Sequence, residues 1–366
     1  MIIFFSSVLA VTSISSVLVI LILIIDLIIN NYPDFEININ DKKKITVEGG
    51  KPLLVALKEK KIFIPSACGG RGSCGYCKVK IKNLDTPFLP TEIPYLSEEE
   101  KKNNVRLSCQ IKVKSNLDIE IPESLFSVQQ FDTKVVNLVD LTYDIKQVTL
   151  EIEGDQKIEF KAGQYIQFEV PPYKLSSESV YRAYSIASNP KDNKKIELEI
   201  RLVPNGICTT YVHQYLKVGD KVKINGPYGE FYLRPTDAEI IFIAGGSGMA
   251  PIKSILLDMR EKGINRKATY FFGAKTTKDL FLIDLMDELM KDMPNFKFIP
   301  ALSDSNSDPS WKGERGLITE VVDKYVLNGE NKEAYLCGSP GMINACISVL
   351  TKKGIPIEKI YYDKFA

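Results

Sequence analysis

Three cysteines fall within ten positions, in Cys68-Gly-Gly-Arg-Gly-Ser-Cys74-Gly-Tyr-Cys77, and a fourth, Cys109, follows 31 intervening residues later in the string LSCQ. Three thiolates on one glycine-rich loop with a distant fourth form the ligand pattern of a plant-type [2Fe–2S] cluster. A loop that wraps a cluster must turn tightly and bring backbone N–H groups up to the sulfides, whose negative charge they stabilise. Gly69, Gly70, Gly72 and Gly75 meet that need. The competing reading is a structural zinc site. Zinc ribbons and fingers pair their ligands in C-x2–4-C knuckles; Cys74 and Cys77 fit that spacing, while Cys68 lies too far upstream. The remaining cysteines, Cys208, Cys337 and Cys346, are scattered, and each reads as a small buried hydrophobe. Cys337 is also a candidate for a nucleotide site.

Two further groups of residues carry chemistry. A flavin site needs an aromatic for the ring face, a hydroxyl near the reactive nitrogen, and cations or amides for the pyrophosphate. Arg182-Ala-Tyr184-Ser185 supplies the first set, and Gly206-Ile-Cys-Thr209-Thr210 supplies amides and hydroxyls. The apolar run Ile240–Ile243, followed by Gly245-Gly246-Ser-Gly248 and a helical stretch, has the strand–glycine turn–helix order that aims helix N–H groups at a phosphate. Cys337-Gly338-Ser339-Pro340 ends another strand candidate, where a nicotinamide would lie. His213, the single histidine, has no second imidazole with which to share a mechanism, and it reads as a helix-surface or barrel-edge residue. Trp311 carries no functional weight.

These residues need elements to hold them. Around the cysteines, FEININ, KKITVE, LLVALKEK, CKVKIK and QIKVK predict a small mixed sheet with a helix. After Pro122, short alternating segments with Gly and Pro punctuation predict an antiparallel barrel. From Ile240 onward, apolar strands recur at helical intervals, as in ATYFFGAK, FKFIPAL, AYLCGSP and KIYYDKFA, which predicts a doubly wound α/β domain. Ahead of all three, Ile2 to Ile25 contain no charge. At 1.5 Å per residue that run spans roughly 36 Å, enough for a single transmembrane helix. It lacks the basic start and short core of a cleaved signal peptide. Lys42, Lys43 and Lys44 follow, and the positive-inside rule then places the rest of the chain in the cytoplasm, with Asp26 at the interface. The 366 residues fit several domains. A formal charge of +1 offers no broad field for nucleic acid, and a mean hydropathy of −0.05 excludes a polytopic membrane protein.

The order membrane anchor, C-x5-C-x2-C…C, RAYS, GGSGMAP, CGSP resembles the F subunits of sodium-translocating NADH:quinone reductases over essentially the whole chain. The last two-thirds is similar, more broadly, to the ferredoxin–NADP⁺ reductase superfamily. The resemblance implies a transmembrane anchor (1–30), a β-grasp [2Fe–2S] ferredoxin-like domain (33–125), an FAD-binding antiparallel β-barrel (130–235) and an NAD-binding α/β domain (236–366). It implies Cys68, Cys74, Cys77 and Cys109 as cluster ligands, and Arg182, Tyr184, Ser185, Gly206 and Thr209 around FAD. Gly245, Gly246, Gly248, Cys337 and Gly338 then lie along NADH. Tyr184, Ser185 and Cys337 would stand at the reacting rings, with Phe365 of the terminal YYDKFA covering the flavin. The implied activity is hydride transfer from NADH to FAD and single-electron transfer to the cluster, in a membrane complex that pumps sodium and reduces ubiquinone alongside other membrane subunits. A soluble reductase component of an oxygenase shares these cofactors but generally lacks the anchor. A membrane-tethered redox-sensing or binding module is the reading from another class. Lys275 and Lys278 read as solvated lysines, without the arginine fork favoured for a 2′-phosphate, so NADH is expected over NADPH.

Overall fold

The computed structural model describes residues 2–29, 32–304 and 308–364, and in the first helix the side chains of Phe4, Leu9 and residues 11–24. The chain forms two compact units, Met1–Pro65 with Gly70–Ser127, and Ser66–Gly69 with Val128–Ala366.

The first unit opens with α1 (Ile2–Ile29). Its described apolar side chains are exposed all round, Val17 at 65% and Ile22 at 62%. Among the described residues no helix is long and apolar enough to cross a membrane, and several side chains of the expected anchor lie outside them. There follow β1 (Asp34–Ile39), β2 (Lys43–Glu48), α2 (Leu53–Glu59), β3 (Lys78–Ile81), α3 (Glu98–Lys102), β4 (Val105–Leu107) and β5 (Leu117–Glu120). The sheet order is β2-β1-β5-β3-β4, with β1 and β5 parallel and the other pairs antiparallel. Alternation in the strands sends Ile37, Ile39, Val79, Ile81 and Ile119 inward, where Leu53, Ala56 and Leu57, on one face of α2, cover them.

One buried ion pair closes this unit. Arg106 on β4 meets Glu92 through Nε at 3.1 Å and Nη2 at 2.6 Å. Glu92 also accepts from the Leu107 and Leu89 amides, while the guanidinium donates to Thr86 and lies over the Phe88 ring. The side chains are 1% and 0% exposed. Every lone pair and proton has a use, the condition under which a desolvated pair holds.

The second unit begins with β6 (Gln129–Asp140), β7 (Ile145–Ile152), β8 (Tyr165–Val170), β9 (Val180–Ser185), β10 (Lys195–Arg201), α4 (Ile207–Gln214) and β11 (Lys221–Tyr228). These strands form an antiparallel sheet in the order β10-β7-β6-β11-β8-β9. A bridge between Ile186 and Leu198 and the bond from Ala187 N–H to the Glu197 carbonyl join its two ends into a barrel, which removes the open edges. The core inside is aliphatic and aromatic, including Val148, Leu150, Ile166, Phe168 and Leu198.

The chain continues through β12 (Glu239–Gly245), α5 (Met249–Glu261), β13 (Ala268–Ala274), α6 (Ile283–Asp292), β14 (Phe296–Leu302), β15 (Glu314–Arg315), α7 (Ile318–Tyr325), β16 (Lys332–Gly338), α8 (Pro340–Lys352) and β17 (Ile360–Lys364). Their sheet is parallel throughout, in the order β15-β14-β13-β12-β16-β17. The order reverses at β12, and a ligand crevice forms outside the strand ends at such a switch point. One core packs on each face, with α5 and α6 on one side and α7 and α8 on the other.

A buried charge cluster joins barrel and parallel sheet. Lys253 of α5, 5% exposed, places Nζ 2.8 Å from Glu197 and 3.5 Å from Glu199, both on β10. Next to it Ser254 donates to the Ser188 carbonyl at 2.7 Å. The Glu199 oxygens have no hydrogen-bond partner, so Lys253 acts on them through its field. Burial pushes the Glu199 carboxyl up to about 7 against the pull of Lys253.

Two expectations follow for stability. Burial alone would raise the Glu92 carboxyl, but Arg106 and the two amides outweigh it and hold it below its ordinary value. A carboxyl held low stabilises the fold above the ordinary carboxylate range and loses that contribution as pH falls through the lowered value. Glu92→Gln leaves Arg106 buried without its counter-charge, and is expected to cost about 3–5 kcal/mol at neutral pH. In denaturant titrations the gap to the unaltered protein should narrow once pH falls below the ordinary 4.5 and close as it passes through the lowered value. Glu199 has the opposite sign. Its folded carboxyl takes up a proton that the unfolded chain releases, so stability falls as pH rises from the ordinary 4.5 to about 7 and then levels off. Glu199→Gln should flatten that slope and stabilise the second unit by about 1–3 kcal/mol at mildly alkaline pH, read as the melting temperature against pH.

Candidate functional site

The cysteine loop runs between α2 and β3. Gly72 and Gly75 hold left-handed φ values of 74° and 72°. Each also lies under a side chain: a Cβ at Gly72 would come within 2.6 Å of the Gln110 amide nitrogen, and one at Gly75 within 2.7 Å of the Tyr95 ring. Ser108 ties the two sides of the site together, donating from N–H and hydroxyl to the Cys77 carbonyl at 2.8 and 2.9 Å. Cys77 and Cys109 are buried. A hydrogen bond with the Cys109 thiol, and then burial, raise the Cys77 thiol above its ordinary value. A thiol on the loop and a thiol from the distant fourth position, buried beside each other, fit two of the four thiolates that a [2Fe–2S] cluster takes. Among the described residues, no group of three or more His, Cys, Asp or Glu side chains gathers about a single ion position. Cys74 belongs to the same unit, and Cys68 lies in Ser66–Gly69, which groups with the second unit.

The predicted flavin residues share β9. Arg182 and Tyr184, two apart, lie on one face of the strand, and Ser185 ends it, 6% exposed. Arg182 donates to the Tyr181 carbonyl. The Tyr184 ring meets Phe168 edge-on at 6.1 Å. Its hydroxyl is buried with no hydrogen-bond partner, and burial raises it above its ordinary value. An orphaned phenol beside a guanidinium fits the acceptor-rich ribityl and pyrophosphate of FAD. Gly206 precedes α4 as its N-cap. The Thr209 hydroxyl turns back on the loop, accepting from Val203 N–H at 3.1 Å, and a Cβ on Gly206 would strike it at 2.5 Å. Thr209 therefore shapes the loop with its hydroxyl. His213 lies on α4 with Nε2 2.9 Å from the Ile200 carbonyl.

The predicted nucleotide residues meet at the C-terminal edge of the parallel sheet. Gly245 ends β12, and Gly246–Gly248 form a 3-10 turn into α5. A Cβ on Gly248 would lie 2.3 Å from the Cys337 carbonyl oxygen, so the turn rests directly on β16. Cys337 is wholly buried, and burial, with Asp363 beside it, raises its thiol. Gly338 follows at φ 147°. A cleft of about 280 Å³ opens here, lined by Gly245, Gly246, Gly273, Lys275, Ser339 and Met342 among others. Exposed backbone at a strand-to-helix turn, with the α5 N-terminus behind it, fits a dinucleotide pyrophosphate. Lys275, read from sequence as solvated, is exposed and also lines this cleft. Phe365 lies outside the described residues.

Sequence reading missed three groups. Arg201 lines the cleft, held by Asp144 at 2.7 Å, with Nη1 3.2 Å from where a Gly246 Cβ would be. Glu199, two residues before it on β10, lies 3.5 Å from Lys253, and Gln110 and Thr91 lie at the cysteine loop. A charged residue within an apolar strand, as in IELEIR, was the available signal for the first two.

Gly248→Ala must push β16 away from the turn, at about 1–3 kcal/mol by the usual cost of overpacking. A lower melting temperature and weaker nucleotide binding are expected. Gly341→Ala, whose Cβ meets nothing within 4 Å, should change neither; calorimetry on both variants checks this.

Three family models match the chain: a 2Fe-2S iron-sulfur cluster binding domain at residues 37–114, an oxidoreductase FAD-binding domain at 132–232 and an oxidoreductase NAD-binding domain at 242–347. The F subunit of the Na(+)-translocating NADH-quinone reductase of Neisseria gonorrhoeae is 37% identical, over 91% of this chain and 92% of that protein. The protein of the same name from Actinobacillus succinogenes is 37% identical over 97% of both. Among solved structures, an Amycolatopsis cytochrome P450 reductase aligns with a TM-score of 0.74 at 26% identity, over 90% of this chain and 98% of that one. The ferredoxin reductase of carbazole 1,9a-dioxygenase aligns with a TM-score of 0.70 at 27% identity, over 91% and 99%. Cluster, FAD and NAD modules in this order, with that identity along nearly the full length, show that the chain belongs to the family of F subunits of Na(+)-translocating NADH-quinone reductases.

Proposed function

We infer that the chain is the electron-input component of a sodium-translocating NADH:quinone reductase, taking electrons from NADH through FAD to a [2Fe–2S] cluster. The observation that carries this is the union of all three modules in one chain of that family. When bound, the flavin accepts a hydride as an electron pair and gives up electrons singly, which suits a one-electron cluster.

The chain's own residues bind, orient and seal. Gly245, Gly246 and Gly248 present backbone N–H groups and the α5 N-terminus to the NADH pyrophosphate. Cys337 and Gly338 form the floor beside the nicotinamide, the thiol kept protonated by burial. Arg182 offers charge to the FAD pyrophosphate, Tyr184 a ring face and an unused hydroxyl, and Ser185 a hydroxyl at the end of β9. Gly206 and Thr209 set the loop that opens α4. Phe365 is assigned to cover the flavin. Cys68, Cys74, Cys77 and Cys109 are assigned as the cluster ligands.

Residues 1–30 are assigned as a single-span anchor, from the uncharged run Ile2–Ile25 and the helix over Ile2–Ile29, with the cofactor domains on the cytoplasmic side where Lys42–Lys44 lie. The partners are the other membrane subunits of the complex, with a quinone as the final acceptor. That anchor separates this reading from the oxygenase-reductase alternative, which shares the cofactors.

Cys109→Ala tests the order of carriers. Alanine offers no lone pair to replace the thiolate, so the cluster's visible absorbance and reduced-state spin resonance signal should be lost. NADH should still bleach the flavin and reduce two-electron dyes, while electron delivery to the membrane acceptor stops. A variant with a full cluster and normal acceptor turnover would refute the ligand set, and loss of flavin reduction would refute the order NADH, FAD, cluster.

A further inference from the structure

The residue after the fourth cysteine does more than continue the chain. The Gln110 side-chain amide lies 3.4 Å from the Cys109 sulfur, with its nitrogen as donor. Its other end is fixed, because the Thr91 hydroxyl donates to Gln110 Oε1 at 2.9 Å. An amide whose oxygen is occupied by a donor has its N–H2 end committed to the opposite side, and here that side faces sulfur. The third wall is Gly72, which leaves no room even for a Cβ, 2.6 Å from the Gln110 nitrogen. Three segments separated in sequence thus converge on one amide: the cysteine loop, the segment before Glu92, and the turn that follows β4.

We propose that Gln110, oriented by Thr91, is a positioning residue that sets the reduction potential of the cluster by hydrogen-bonding the Cys109 sulfur. The proposal rests on the cluster reading above and deepens it. Reduction adds one electron to the cluster and removes none elsewhere in the site, so charge on the thiolate sulfurs grows. A donor aimed at sulfur stabilises the reduced state more than the oxidised one and raises the potential. Thr91 acts one step back, by denying the amide its flipped orientation. Glu92, next in the chain, is anchored on Arg106 and the Leu107 amide, which ties the Thr91 segment to the strand leading into Cys109.

The test is a redox titration of the full-length protein, followed by the spin resonance signal of the reduced cluster. Gln110→Leu should keep the cluster and move the midpoint to a more negative value. A three- to tenfold loss in the reduction equilibrium is expected, where each factor of ten is about 59 mV for one electron. Thr91→Val should move it the same way by less, and Thr91→Ser, which keeps the hydroxyl, should restore it. Flavin bleaching by NADH should be unchanged in all three. A full cluster at the unaltered midpoint in both Gln110→Leu and Thr91→Val overturns the proposal. Should Gln110→Leu lose its cluster, the Thr91→Val and Thr91→Ser pair decides, equal midpoints counting against the proposal. An unaltered protein without a [2Fe–2S] signal would instead overturn the cluster reading itself.

Discussion

The nucleotide domain depends on one steric constraint, the close approach of three parallel strand ends at glycines whose Cβ positions are already taken. Gly245 on β12 stands opposite Gly273 on β13, and Ala244 stands opposite Cys337 on β16. At that edge a Cβ on Gly245 would lie 3.1 Å from the Gly273 carbonyl, and one on Gly248 2.3 Å from the Cys337 carbonyl. The result is a stretch of glycine backbone open to the cleft at the strand-to-helix turn. Phosphate binding at a helix N-terminus needs close approach of N–H groups, and the close packing of turn on strand is what exposes them. The two-sided hydrophobic cores hold the register that makes the strands end together.

Buried charge provides the second kind of order. In the first unit the Arg106–Glu92 pair is fully satisfied, so it locks the segment before α3 to the strand leading into Cys109. In the second unit the Lys253 cluster is unequal: one ammonium faces two carboxylates, and Glu199 lacks hydrogen bonds. A desolvated site with one negative charge in excess favours a proton, which is the physical origin of the raised Glu199 carboxyl. The two differ in sign: the Arg106–Glu92 pair adds stability at neutral pH, while the Lys253 cluster gives some up for a defined placement of α5 against β10.

Much of this was legible in the residues because the signals are local. Cysteine spacing, glycine strings and strand alternation are each contained in a short window, and they pointed to an iron–sulfur module, a barrel and a parallel sheet. What escaped was pairing across distance. Thr91 with Gln110 and Glu92 with Arg106 look like ordinary polar residues until the sheet brings them together. Thr209 illustrates the limit within a motif: the string supplies a hydroxyl but not its direction, and that hydroxyl accepts from the Val203 N–H. Lys275 was assigned to solvent and is exposed, but being solvated does not keep a side chain from lining a cleft. Local pattern gives the type of site, and side-chain direction depends on neighbours that the pattern does not contain.

The two kinds of site should also respond differently to sequence change. A floor made of glycine backbone needs the strand register and the absence of side chains, and any set of apolar residues that fills the cores can maintain the register. An identity of 37% along the chain is therefore compatible with an intact nucleotide site. The cluster surroundings are less forgiving. There the environment of sulfur is set by particular donors, a Gln110 amide held by a Thr91 hydroxyl, and exchanging either changes the field at sulfur without disturbing the fold. Within this architecture, binding is secured by main chain and tuning is left to side chains, so the potential at which the cluster accepts electrons can be adjusted while the fold that gathers the cofactors stays fixed.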